Sequence, residues 1–357
     1  MSVVAPPASL YRVARRAGLR RPRPKRHVPR LRVDRGRSGP PTVWMITPDW
    51  NRHAGGIRKQ YRAVDVLNDA GLNAAVVHTR PGFECTWFEH RTRVVAAGEI
   101  ALGERDVIAV PEIYGPSILD LPAGVRQVIF NQGAYLALET LVERGPAAAA
   151  PYVANPDLAA VVVVSDDSAD VIRYLFPDAP VKRIHHGIDP AVHHPPAGEP
   201  RRRIAYMTRR RGEESAQVLK LLELRGVLDD WEVVAIHGKT ETEVADLLRS
   251  SQVFLSFSQL EGFGLPPLEA LACGCLVVGF HGFGGRELFR PPFAVPVEDA
   301  DVVGFARAVE QVIRQVDEDP AGTAAAAAAG ARFAAERYSR ATERDDLLGV
   351  FAPLLES

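Results

Sequence analysis

The stretch Ser256–Gly285, SFSQLEGFGLPPLEALACGCLVVGFHGFGG, admits few readings other than buried strand, sharp loop, short helix and second buried strand. VFLSFS (Val253–Ser258) and CLVVGF (Cys275–Phe280) are short apolar runs of β-forming residues. Between them Pro266 and Pro267 stand where a helix starts, because the N–H groups of a first turn have no helical partner to lose. Cys273-Gly274 closes that helix, glycine being the usual residue past a last turn.

This local geometry has a chemical use. Gly262 and Gly264 let backbone come close to a ligand. The free N–H groups and the positive end of the helix dipole favour an anion such as a diphosphate. Glu269 is read as lying in the first turn and Glu261 in the loop before it. A carboxylate beside a phosphate is repelled by it, so both glutamates suit sugar hydroxyls better. Taken alone, the pair also fits a solvated loop glutamate and a helix-start glutamate that only complements the dipole.

Strands alternate with helices along most of the chain. TVWMIT (42–47), Asn73–Thr79, Asp106–Pro111, Gln127–Asn131 and Ala159–Ser165 read as strands, with helices over Ile57–Ala70 and Ser168–Phe176. HHGIDPAVHHPPAGEP (His185–Pro200) is rich in turn formers and reads as a linker. A second alternation follows: strand Arg202–Met207, helix Ser215–Gly226, strand Trp231–Gly238, helix Glu241–Ser250, then the opening motif. Helices are expected over Val303–Gln315, over the Ala-rich Ala321–Tyr338, and over Arg340–Leu355. The pattern is that of α/β doubly wound parallel sheets, which bind ligands beyond the carboxyl ends of their strands. At 357 residues two domains are expected.

EGFGLPPLEALACGCLVV resembles the E-x7-E segment of retaining glycosyltransferases of the GT-B fold, especially the family-4 group. The resemblance covers roughly Thr42 to the end. It implies two Rossmann-like domains facing across a cleft, with the last helix crossing back to the first. The expected boundaries are a basic, disordered arm over 1–40, an acceptor-side domain over 41–187, a linker over 188–200, a nucleotide-sugar domain over 201–338 and the returning helix over 339–357. By the same resemblance Glu261 contacts the transferred sugar and Glu269 holds the ribose of a nucleoside-diphosphate sugar. Phe263, Gly264 and Leu265 line the donor loop, the last two through their N–H groups.

Further motifs take roles from this resemblance. Gly55 and Gly56 match the family's glycine loop. Arg209 and Arg210 stand where relatives carry an Arg and a Lys on the diphosphate; here Arg209, Arg210 and Arg211 are adjacent, a departure from the usual spacing. Arginine grips phosphate oxygens through a bidentate fork. Gly238 and Lys239 border the base. Gly187-Ile188-Asp189 matches a structural hinge, with His186 where Asn is common. Many relatives place a His near FNQGAYL (Phe130–Leu136), where this chain has Asn131 and Gln132; an amide hydrogen-bonds a hydroxyl but is no base near pH 7. Glu112 and Tyr114 are candidates for the acceptor side. Glu287 in HGFGGREL resembles an acidic residue of the family and equally fits a structural helix start.

Composition narrows the partners. The net charge of -1 hides an asymmetry, since residues 1–40 hold 12 Lys+Arg against the single acid Asp34. Such a Pro-rich, charged stretch is expected to be disordered. It suits an anionic membrane surface, at about 1 kcal/mol per basic residue, or is a solvated tail. The acidic body disfavours nucleic acid. The N-terminus lacks a secretory h-region, no apolar run approaches the ~20 residues of a span, and Cys85, Cys273 and Cys275 form no metal or disulfide pattern. A cytoplasmic enzyme, peripheral at the inner membrane face, is the expectation. His185, His186, His193 and His194 read as a solvated linker cluster. Asp299-Ala300-Asp301 reads as a helix cap, so neither metal nor cofactor is expected. The acceptor is left open between a cell-envelope glycan or lipid and a secondary metabolite. Two other classes also stay open: a different GT-B chemistry, such as a nucleotide-sugar epimerase or phosphorylase, and a non-catalytic nucleotide-sugar-binding partner.

Overall fold

The computed structural model describes residues 26–356. The chain divides into two compact units, Met1–Val163 with Val171–Lys182 and Gly349–Ser357, and Val164–Asp170 with Arg183–Leu348.

The first unit is built on a seven-stranded sheet. Its strands are β2 (Thr42–Ile46), β3 (Asn73–His78), β4 (Val94–Ala96), β6 (Val107–Pro111), β7 (Arg126–Phe130), β8 (Leu158–Val163) and β9 (Val181–Arg183), in the order β4-β3-β2-β6-β7-β8-β9. Pairing is parallel from β4 across to β8. All of β2 and β6 is buried, as a strand covered on both faces requires, which is why these segments read as continuous apolar runs. Strand order reverses between β2 and β6, the place where such sheets open a crevice at their carboxyl ends. Helix α1 (Gly55–Asp69) follows β2, and Gly71, at φ +86°, ends its turn.

The expectation of a loose arm over 1–40 is corrected for residues 26–40. β1 (Arg32–Val33) pairs in parallel with β5 (Ala101–Leu102). Val28 is buried and its N–H donates to Ser117 Oγ at 3.3 Å. Arg37 lies over the Trp44 ring and pairs with buried Asp106, whose carboxylate also accepts from Thr42 N and Trp44 Nε1. Composition concealed this, because one buried acid outside the segment gives its arginine a partner. The remainder of the expected arm, residues 1–25, lies outside the described residues.

The second unit holds a five-stranded parallel sheet in the order β11-β10-β12-β13-β14. These are β10 (Arg201–Met207), β11 (Glu232–Ile236), β12 (Ser251–Glu261), β13 (Leu276–Phe283) and β14 (Ala294–Pro296). The connecting helices that matter below are α2 (Gly212–Leu224), α3 (Glu241–Arg249), α4 (Leu265–Ala272), α5 (Val302–Glu318) and α6 (Pro320–Arg337). Ile204, Val253, Leu255, Phe257, Val278 and Phe280 of the sheet pack with Phe305 and Val309 of α5 in one core. Burying each of these large side chains contributes about 1.5–3 kcal/mol. The last helix, α7 (Arg340–Glu356), begins in this unit, and Gly349–Ser357 belongs to the first, where Arg105 Nη2 donates to Leu355 O at 3.3 Å.

Three local assignments shift. β12 runs on to Glu261, so this glutamate ends a strand; Leu260 at φ +46° and an irregular register after Ser258 carry the strand through. α4 starts at Leu265 behind Gly264, so Glu269 sits in its second turn and is buried. Gly55 and Gly56 open α1 rather than precede it. β4, β9 and β14, three residues each, are too short for periodicity to announce. The linker histidines are not uniformly solvated: His186 and His193 are each 4% exposed.

Candidate functional site

In the second unit the carboxyl ends of β10 and β12 bring Arg210 and Glu261 together. Arg210 Nε lies 2.8 Å from Glu261 Oε1, and Arg210 Nη1 donates to Gln259 O at 2.9 Å. The arginine therefore holds both the carboxylate and the strand that carries it. Burial raises the Glu261 pKa above the ordinary carboxylate value, and the charges of Arg210 and Arg209 oppose that rise. Arg209 is exposed. Arg211 belongs to the scaffold. It caps α2 at φ +48°, lies over the Phe280 ring at 4.8 Å, pairs with Glu214 and Asp299, and donates to Ser258 O.

The loop after Glu261 is shaped from three sides. Gly264 caps α4 at φ +99°, a left-handed conformation that glycine adopts without penalty, and Leu265 is the first helical residue. Ser165 Oγ donates to Gly262 O at 2.6 Å, and Ser168 Oγ reaches the same oxygen at 3.0 Å. From behind, Gly284 and Gly285 lie directly on the loop. A Cβ at Gly284 would stand 2.3 Å from Glu261 O, and one at Gly285 would stand 2.9 Å from Phe263 O. The Phe263 ring itself is buried between those of His186 and Tyr338, at 5.6 and 5.2 Å. That places the ring in the core.

The other predicted positions spread around this loop. Gly238, at φ +63°, follows β11 with open space beside it. Lys239 is exposed and pairs with Glu243 at 3.0 Å, part of the capping box of α3. Asp301 accepts from Gly304 N and caps α5, as the cap reading of 299–301 expects, while Asp299 is taken by Arg211. Glu287 is a structural hub: it accepts from Asp166 N at 2.8 Å, Arg183 Nη2 at 2.5 Å and Tyr338 Oη at 2.6 Å.

Gly55 and Gly56 stand in the first unit, at the opening of α1. Gln132 Nε2 donates to Gly56 O at 3.1 Å, and Gln132 N donates to Glu112 Oε2 at 3.1 Å. The sequence therefore brings Gly56, Gln132 and Glu112 together beyond β2, β6 and β7. Asn131 is fully buried, donating to Tyr152 Oη and accepting from Gly133 N, so it serves the fold rather than a ligand. Tyr114 is buried as well. Ser165, Ser168, Gly284 and Gly285 were missed as loop-shaping residues. The Ser-x-x-Ser spacing that opens the helix Asp166–Leu175 was a readable cap signal; the glycines' role has no local signature.

Comparison with known proteins sets this site in context. Residues 197–327 match the family described as Glycosyl transferases group 1. Over 230 residues, 62% of this chain and 67% of the relative, the sequence is 26% identical to an alpha-1,6-glucosyltransferase of Actinobacillus pleuropneumoniae serotype 7 (strain AP76). A sucrose-phosphate synthase from Thermosynechococcus elongatus superposes with a TM-score of 0.65, at 14% identity, over 88% of this chain and 99% of that one. Anabaena Alr3699/HepE in complex with UDP-glucose gives 0.61 at 13% identity, over 87% and 99%. The pneumococcal O-GlcNAc transferase GtfA in complex with UDP and GlcNAc gives 0.60 at 10% identity, over 89% and 99%. At these identities the structural likeness speaks for the fold, which is the expected GT-B type.

Proposed function

From the match of residues 197–327 to the glycosyl transferases group 1, we propose that this chain is a glycosyltransferase that moves a hexose from a nucleoside-diphosphate sugar to an acceptor hydroxyl, with retention and without a metal ion. The observation that carries the reading is the meeting of Arg210 and Glu261 beside the open end of α4. A diphosphate there meets Arg209, Arg210, the N–H groups of Gly264 and Leu265 and the positive end of a helix dipole. Glu261 accepts from the transferred sugar, Glu269 from the ribose, and Gly238 with Lys239 borders the base.

In the transfer the anomeric C–O bond to the diphosphate breaks, and its electron pair stays with the phosphate oxygen. The acceptor oxygen bonds the anomeric carbon from the same face, and its proton goes to the departing phosphate. The leaving group needs charge stabilisation rather than a protein acid, and removing one preorganised contact costs about 10²–10³ in rate. Support for a metal-free reaction is that Asp299 and Asp301, the DxD-like pair, are committed to Arg211 and to capping α5. The neighbours solved with UDP or UDP-glucose make uridine diphosphate hexoses the first donors to try. No described helix is long and apolar enough to cross a membrane. The seven Lys and Arg among residues 1–25 support peripheral attachment to anionic lipid, checked by vesicle co-sedimentation after deleting that segment alone.

The test is a thermal-shift panel of nucleoside diphosphates and their sugars, with and without EDTA. A ligand at 100 times its Kd stabilises by about 2.7 kcal/mol. A shift selective for one base and sugar, and not lost in EDTA, is expected. No shift with any nucleotide overturns the reading.

A further inference from the structure

Three metal-type ligands from distant parts of the chain converge in the second unit. A ring nitrogen of His193 and carboxylate oxygens of Glu241 and Glu269 all lie within 4.8 Å of one another. His193 is 4% exposed and Glu269 7%, whereas Glu241, the first residue of α3, is exposed. The group has a buried floor and one side open to solvent.

One imidazole and two carboxylates form a donor set suited to zinc-class divalent ions. Bonds of about 2.0–2.2 Å bring tetrahedral ligands to roughly 3.4 Å apart, a closing that the exposed Glu241 side chain can supply.

We propose that His193, Glu241 and Glu269 form a three-ligand site for a zinc-class ion, with water in the fourth position, and that the bound ion competes with the nucleotide sugar for Glu269. The competition rests on the ribose role proposed for Glu269; metal binding by itself does not.

The test uses full-length protein stripped with EDTA and titrated with ZnCl2 against a chromophoric chelator. One zinc per chain is expected. His193→Ala and Glu241→Gln should each weaken binding at least about tenfold, while His194→Ala, at the exposed neighbour, should leave it unchanged. Wild-type affinity in both ligand variants overturns the proposal, as does an equal loss in His194→Ala. If His193→Ala does not fold, the exposed Glu241→Gln decides alone. UDP binding is measured in parallel. Zinc should weaken it in the wild type and not in Glu241→Gln. Site-dependent zinc binding without any nucleotide binding overturns the donor reading alone; nucleotide binding without zinc binding overturns this proposal alone.

Discussion

Replacing Gly284 by alanine tests whether the backbone behind Glu261 sets the activity. The new methyl group would stand 2.3 Å from Glu261 O, 2.4 Å from Gly262 O and 2.5 Å from Gly262 C, where ordinary contact begins at 3.4 Å. These obstacles are backbone atoms, so no side chain can swing away to make room. Either the end of β12 or the Gly282–Gly285 loop must retreat by roughly 1 Å, at a cost of about 1–3 kcal/mol typical of overpacking. At about 2–4 °C per kcal/mol for a unit of this size, Tm falls by roughly 2–12 °C. The larger effect is on chemistry, because a 1 Å misplacement of a reacting group costs about 10²-fold. Glycosyl transfer and thermal melting measured together should show turnover falling far more than stability. Gly198→Ala, with nothing within 4 Å of its Cβ, is the control and should change neither. Wild-type turnover in a folded Gly284→Ala protein would refute the argument that this glycine positions Glu261.

Glu261→Ala should lower kcat by about 10²–10³ with little effect on UDP affinity, whereas Glu269→Ala should weaken UDP itself; equal behaviour of the two, by kinetics and calorimetry, removes the assignment. Because burial raises the Glu261 pKa, its ionised form is lost at a higher pH than for an ordinary glutamate, and the acid limb of kcat/KM should lie above about 4.5. Arg210 and Arg209 lower that pKa, so Arg210→Gln should move the limb upward; a downward move in the pH profile contradicts the pairing. Ser165→Ala leaves the Gly262 carbonyl one donor short and should destabilise by about 1–3 kcal/mol in denaturant titration, with Ser168→Ala costing less.

The strand–loop–helix–strand around Glu261 was legible because each piece is specified locally. Apolar runs mark buried strands, Pro266-Pro267 mark a helix start, and Gly274, at φ +84°, marks its end. The same local logic reached Asp301 as a helix cap. It failed where the deciding neighbour lies far along the chain. Arg37 looked like one more charge on a loose arm until Asp106 stood beside it. Resemblance singled out Arg209 and Arg210, but only folding puts Phe280, Asp299 and Ser258 around Arg211 and commits it to the scaffold. His193 read as linker, and its approach to Glu241 and Glu269 has no spacing signature. Periodicity and turn chemistry act between residues a few positions apart, so the sequence alone determined the elements and their chemical inventory. Burial and charge pairing act between surfaces that only the parallel sheets bring together, so the tertiary structure decided which arginine meets Glu261, which glycines must stay glycine, and which carboxylates come close to each other.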